Sequence, residues 1–296
     1  MVEENIIEQN VQVENTSFYQ DTFKKIRKNK VAMASLVFVL LLVVIAIFAP
    51  QIAPYTESFQ DSAHILSGPS REHWFGTDEF GRDIFSRIVF GTRVSLSVGV
   101  VAESIAITLG TVIGALAGYY GGWFDTFVSR LIEIFGSFPK LLFAIVVMFA
   151  LGPGVMNVFI AIGLVGWTGV ARMIRAQVLQ LKENEYIEAA ESFGASDRHI
   201  IFKHLIPNSL STIIVIMTMS IPADIMYEAS LSFLGLGVQP PASSWGQIIN
   251  LGRIYLKNNP GYVFFPAAAL VLTVLAFNQL GDALRDALDP KLQDTE

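Results

Sequence analysis

Val31 to Ala49 (VAMASLVFVLLLVVIAIFA) runs without a single charge and ends against Pro50 and Pro54. A membrane-crossing helix needs about 20 such residues. Nothing else in the chain limits the fold so strongly, because a helix of this kind has to be buried in lipid or in other helices like it. Four more apolar stretches and one less clean one follow: Val94–Gly118 with only Glu103 inside it, Phe127–Leu151 with Arg130, Glu133, Pro139 and Lys140 in its first half, the short Val155–Val170, Leu210 to about Leu236 interrupted by Pro222, Asp224 and Glu228, and Tyr262 to about Leu280. The pattern predicts an all-α integral membrane protein with six transmembrane helices. Composition agrees: 52% of the 296 residues are hydrophobic and 16% are charged, against about 25% charged in soluble domains.

Basic residues set the orientation. Lys24, Lys25, Arg27, Lys28 and Lys30 precede the first span, which places the N-terminus in the cytoplasm, and six spans return the C-terminus to the same side. The loop after the fourth span, with Arg172, Arg175, Lys182, Arg198 and Lys203, is then cytoplasmic, and the loop from Gln51 to Arg93 is extracytoplasmic although it holds Arg71, Arg82, Arg87 and Arg93. The acidic, polar first residues before the basic cluster are unlike a cleavable signal, so the first span reads as a retained anchor. The expected organisation is a polar tail over 1–30, a first helix over 31–50, an extracytoplasmic loop over 51–93, a membrane-embedded core over 94–285 and a second tail over 286–296.

Several chemistries are missing. With no Cys there are neither disulfides nor thiolate metal sites. No GxxxxGK[ST], HExxH or GxSxG occurs. The net charge of −6 with scattered bases leaves no nucleic-acid footprint. The reading is of a chain with no catalytic residues, no metal site and no cofactor of its own. Gly110, Gly114 and Gly118 fall four apart and predict a face where another helix approaches closely. Glu103, Glu133, Asp224 and Glu228 are ionisable groups at membrane level and, as such, candidates for function; Asp224 and Glu228 are the candidates for a translocation path or gate, while Glu133 has Arg130 at helical spacing to pair with.

Two polar segments remain. HWFGTDEFGRDIFSR (His73–Arg87) packs Thr77, Asp78, Gly81, Arg82 and Asp83 into a dense, turn-like unit whose opposite charges can satisfy one another. EYIEAAESFGASDRHIIFKHLIPNSL (Glu185–Leu210) reads as two short helices around a bend. The first starts near Glu185 with Ile187, Ala190 and Phe193 on one side; Gly194 ends it; Ser196 caps a second helix with Ile200, Ile201 and Leu205 on its apolar side; Pro207 opens the next span. On chemistry alone this is equally an interfacial hairpin or a docking surface.

The residues Glu188, Ala189, Ala190 and Gly194, followed by Ile206 and Pro207, resemble the EAA motif of ABC importer permeases. GTDEFGRDIFSR (Gly76–Arg87), GYYGGWFD (Gly118–Asp125), ARMIRAQVLQLKENEYIEAA (Ala171–Ala190), EASLSFLGLGVQPPASSWG (Glu228–Gly246) and LTVLAFNQLGDALRDALDP (Leu272–Pro290) are similar to the dipeptide/oligopeptide branch, whose C-type permease subunits the chain resembles from about Val31 to Pro290. The resemblance implies a type I ABC importer permease fold in a bacterial or archaeal cell membrane. It also implies that Glu188–Gly194 is a coupling helix seated on one or two separate ATP-binding subunits, which hold the ATP and Mg. A homologous B-type permease subunit completes the pathway, membrane lipid surrounds it, and an extracytoplasmic solute-binding protein docks near Thr77, Asp78, Arg82 and Asp83. The substrate class implied is di- or oligopeptides, with a nickel or other small-solute importer of the same family as the alternative and a proton-coupled carrier as the reading from another class.

Overall fold

The computed structural model describes residues 26–288; most of the first tail, with Lys24 and Lys25, and residues 289–296 lie outside them. Among the described residues there are helices and no named strands. Helix α1 is Lys30–Ile47, α2 Ile84–Tyr120, α3 Gly122–Gly136, α4 Lys140–Leu151, α5 Val155–Lys182, α6 Glu185–Ser192, α7 Leu210–Phe233, α8 Trp245–Gly252 and α9 Gly261–Leu288. Five of them are long and apolar enough to cross a membrane, and the count reaches six if α3 and α4 form one span.

The structure changes three of the expected spans. Helix α2 begins ten residues before Val94, because Asp83 caps it by accepting from the Ser86 amide. Its early charges are absorbed. Arg93 Nε and Nη2 donate to the Ala46 and Ile47 carbonyls at 2.9 and 3.0 Å, two acceptors that the end of α1 leaves free. Arg87 is buried, 3.6 Å from Asp78 and donating to Gln247 Oε1 at 3.1 Å. The third span is two helices bent by 90°. Pro139 stands at the start of α4, and a proline drives the residue before it out of the helical region. Arg130 and Glu133 pair at 2.7 Å on exposed α3, as their spacing predicts. The fourth span continues past Val170 to Lys182, with Ala171, Ile174 and Val178 buried at helical spacing. Arg172, Arg175 and Lys182 therefore sit on a helix, not in a loop.

At the centre of the fold α2 runs against α5. A Cβ on Gly110 would stand 2.5 Å from Val170 Cβ, one on Gly114 would stand 2.4 Å from the Ala171 carbonyl oxygen, and one on Gly118 would stand 2.9 Å from Val178 Cγ1. The partner helix answers with Gly163 against Ile105 and Ala102, and Gly166 against Ala106. Without small residues on both sides the backbones could not come this close, and in lipid, where hydrophobic exclusion gives no drive, such packing is what holds helices together. Helices α7 and α9 pack on each other, α7 on α2, and α1 lies against α9 and α2. Side chains facing away from this assembly, such as Val37, Leu40, Val146, Phe149 and Phe264, are apolar and exposed, as lipid-facing surfaces are.

Replacing Gly114 with Ala should cost about 1–3 kcal/mol, as overpacking does, and lower the thermal unfolding temperature of the detergent-solubilised chain. Gly169→Ala, on the same helix pair but with open space around it, should not lower that temperature and should raise it slightly, because alanine is the better helix former.

Candidate functional site: the Gly194 turn and the two ends of the long helix

The polar segment Glu185–Leu210 folds much as its pattern predicts. Helix α6 ends at Ser192, Gly194 takes φ +79°, and Ala195 N–H donates to the Ala190 carbonyl at 3.0 Å. Ser196 Oγ accepts from the His199 amide at 3.4 Å and starts the next helical stretch. That stretch has wide π-type turns over Ile200–Leu205 before Ile206–Asn208 leads into α7. The wide turn lies just ahead of Pro207, which has no N–H for the regular ladder.

One side of this unit is fixed. Ile187, Ile200, Ile201 and Leu205 are buried in one cluster with Val178 of α5 and Tyr119 of α2. The Tyr119 hydroxyl donates to Asp197 at 3.1 Å, and Lys182 Nζ donates to the Tyr119 carbonyl at 2.9 Å. With a longer contact from the same hydroxyl to Glu191 at 3.5 Å, the end of α2 is bound to both halves of the turn and to the end of α5. Asp125 of α3 and Arg175 of α5 form a further ion pair nearby.

The other side faces outward. Glu188, Ala189, Gly194 and Pro207 are exposed, while Ala190 is half-buried against the apolar cluster. Phe193 departs from the expectation: it was to share a buried side with Ile187 and Ala190, yet it is 92% exposed. The helix stops before it, and the reversal at Gly194 swings its ring away from the membrane-facing cluster. The ring stands at the tip of the turn, clear of the apolar cluster that buries Ile187.

At the other end of α2 the GTDEFGRD segment closes on itself. Asp78 is fully buried; its Oδ1 accepts from the Phe80 and Arg82 amides at 2.9 Å each, and its Oδ2 from Arg82 Nε at 2.6 Å. Thr77 Oγ1 donates to the His64 carbonyl and accepts from the Ser67 amide at 2.9 Å. Gly76 and Gly81 have φ of +80° and +74°, and a Cβ on Gly81 would stand 2.0 Å from the Asp61 carbonyl oxygen. Asp83 accepts from Ser86 through Oδ2, and its Oδ1 lies 3.0 Å from His73 Nδ1. Tyr262 of α9 donates to Glu79 at 2.6 Å, which ties the loop to the start of α9. Near it, His64 Nδ1 donates to Asp61 at 2.8 Å, and this bond holds the Asp61 carboxyl below its ordinary range and raises the His64 imidazole above its own.

The membrane-level acids separate in character. Glu228 is fully buried and accepts from Ser232 at 2.6 Å and from Ser95 of α2 at 3.2 Å. Gly246 seats against the Ala229 backbone, where a Cβ would come within 2.5 Å. Glu228 thus sits in a closed polar knot joining α7, α2 and the loop before α8. That loop and helix were not anticipated, although Ser243-Ser244-Trp245 carries the signal: Ser244 Oγ caps α8 through the Gln247 amide at 3.2 Å. Asp224 lines a small cleft with Lys140 and Tyr227, and Glu103 is buried beside it on α2.

The chain has relatives among known proteins. Residues 110–294 match the family described as binding-protein-dependent transport system inner membrane component, and residues 17–69 match the N-terminal transmembrane domain of oligopeptide transport permease C. A dipeptide transport system permease protein of Bacillus subtilis is 46% identical over 278 residues, covering 94% of this chain and 87% of its own length. The corresponding protein of Alkalihalophilus pseudofirmus is 44% identical over 275 residues, covering 93% and 90%. A glutathione transport system permease protein of Escherichia coli O6:K15:H31 is 46% identical over 276 residues, covering 93% and 91%. Among solved structures, an inward-facing form of the MetNI methionine ABC transporter superposes with a TM-score of 0.56 at 21% identity over 70% of this chain and 98% of that one, which is a likeness of fold. The chain belongs to the family of multi-pass inner-membrane components of binding-protein-dependent transport systems.

Proposed function

We propose that this chain is one permease subunit of an ATP-driven peptide importer, and that the Gly194 turn is where a separate ATP-binding subunit seats. The observation that carries this is the division of the turn into two sides: a buried one locked to α2 and α5 by Ile187, Tyr119 and Asp197, and an outward one presenting Glu188, Ala189 and Phe193. A push on the outward side moves the inner ends of α2 and α5 as one rigid body, which is the type of transition that switches access across a bundle. The small Ala189 lets a partner come close, Phe193 offers an apolar anchor, and Glu188 offers a charge for a polar contact at the rim. The ATP and Mg belong to that partner, and the chain itself carries no catalytic residue in this reading.

The relatives named for dipeptide and glutathione transport favour peptides over nickel as the cargo. A second, homologous permease completes the pathway, and an extracytoplasmic binding protein delivers the solute. The N-terminus and the Gly194 turn lie on the cytoplasmic side, and the Thr77–Asp83 knot on the opposite one. For Thr77, Asp78, Gly81, Arg82 and Asp83 the reading is a positioning role: they are turned inward and shape the loop, which offers Trp74 and Phe80, both about half exposed, to a docking protein. Asp224, facing a cleft with Lys140, is the better candidate for the solute path; Glu228, with its oxygens engaged, holds the α7–α8 corner that flanks it.

Glu188→Lys should lower ATP-dependent peptide uptake by at least about tenfold, the effect of about 1.4 kcal/mol lost at the interface, while the amount of chain in the membrane is unchanged; uptake at the normal rate would remove the docking assignment. Asp78→Ala leaves Arg87 buried without its carboxylate and Arg82 with only Glu79, 3.7 Å away, a change that costs about 3–5 kcal/mol. It should abolish recovery of folded chain from the membrane, whereas Trp74→Ala should be recovered in full.

A further inference from the structure

Asp61, His64 and His73 are brought together in the loop between α1 and α2, each offering one ligand atom, with all three atoms within 4.8 Å of one another. Their sequence spacing, three and nine residues apart in a loop, has no period that would have pointed to a centre, and the sequence reading expected none. The decisive atom is His73 Nε2. The His73 side chain is buried, and Nε2 has no hydrogen-bond partner. It is aimed at Asp61 Oδ2, 3.5 Å away.

The surroundings prepare that nitrogen as a ligand. His73 Nδ1 faces Asp83 Oδ1 at 3.0 Å; in the tautomer that donates this bond, the Nε2 lone pair points at Asp61. A carboxylate behind a histidine in this way orients metal-ligating imidazoles and raises their basicity. Asp61 is held similarly: its Oδ1 accepts from the Ala63 amide at 3.0 Å, leaving Oδ2 to face both histidines. Tetrahedral ligands about 2.0–2.1 Å from a zinc-class ion stand roughly 3.3–3.5 Å apart, which the Asp61–His73 pair already meets. His64 Nδ1, 2.8 Å from Asp61 Oδ2, must release the proton it shares with Asp61 when an ion enters and shift slightly outward, and its side chain is half exposed and free to do so. Two imidazoles and one carboxylate are a donor set for zinc-like ions rather than for calcium or magnesium.

We propose that Asp61, His64 and His73 bind one divalent ion of the zinc class, with Asp83 as the supporting carboxylate and water in the fourth position. The ion would staple the middle of the loop to the start of α2, since Asp83 is also the cap of that helix.

The test is titration of the full-length, untagged chain in lipid nanodiscs with Co2+, read by the visible absorption of tetrahedral Co2+, followed by displacement with Zn2+. One Co2+ per chain with displaceable visible bands is expected. His64→Ala, a change at a half-exposed side chain that leaves the loop's buried contacts in place, should weaken binding at least about a hundredfold, and Asp83→Asn, which still caps a helix, by about 10–100-fold. Absence of the bands, or bands that persist unchanged in His64→Ala, would overturn the proposal.

Discussion

The rest of the structure depends on how closely α2 approaches α5. Gly110, Gly114 and Gly118 on one helix and Gly163 and Gly166 on the other leave no room for a single added carbon. Helix α2, with 37 residues, is about 55 Å long at 1.5 Å per residue, well beyond the roughly 30 Å of a bilayer's apolar core. A helix that long transmits force only if it is held along its length. The glycine seam does that, and in the proposed function the two helices act as one lever.

Each end of the lever is clamped by a polar device of a different kind. At its start, Asp83 caps the helix and belongs to a buried network in which Asp78 neutralises Arg82 and stands beside Arg87. At its finish, Tyr119 reaches Asp197 through its hydroxyl and Lys182 through its carbonyl. The first clamp is rigid because every oxygen of Asp78 and Asp83 is engaged. The second is attached to the Gly194 turn, whose outward side carries Glu188, Ala189 and Phe193. In the proposed cycle a displacement at that turn is therefore passed to the helix pair, and through α7 and Glu228 to the corner before α8, without first loosening a flexible joint.

Much of this was legible in the sequence, for physical reasons that differ from place to place. The spans follow from hydropathy, and the seam from glycines at a spacing of four. The turn follows from Gly194 and Ser196, whose conformational preferences act locally. What sequence reasoning placed wrongly depends on tertiary partners. The start of α2 was lost among Arg87 and Arg93, which read as loop charges until Asp78, Gln247 and the α1 carbonyls are seen to receive them. Phe193 fits the apolar period of its helix, but the helix ends one residue too soon for the period to apply. The bend between α3 and α4 was signalled by Pro139, yet its angle is set by packing against α5. The meeting of Asp61, His64 and His73 is produced by two left-handed glycines, Gly76 and Gly81, that fold the loop back on itself.

The account stands or falls on what touches Phe193. Because the chain has no Cys, a single cysteine there is a unique chemical handle. With Phe193→Cys in the assembled transporter, a short thiol cross-linker should join this chain to the ATP-binding subunit, and ATP should change the yield as the turn moves. Cross-linking to any other component, or none while a cysteine at Trp74 reacts with the ATP-binding subunit, would contradict it.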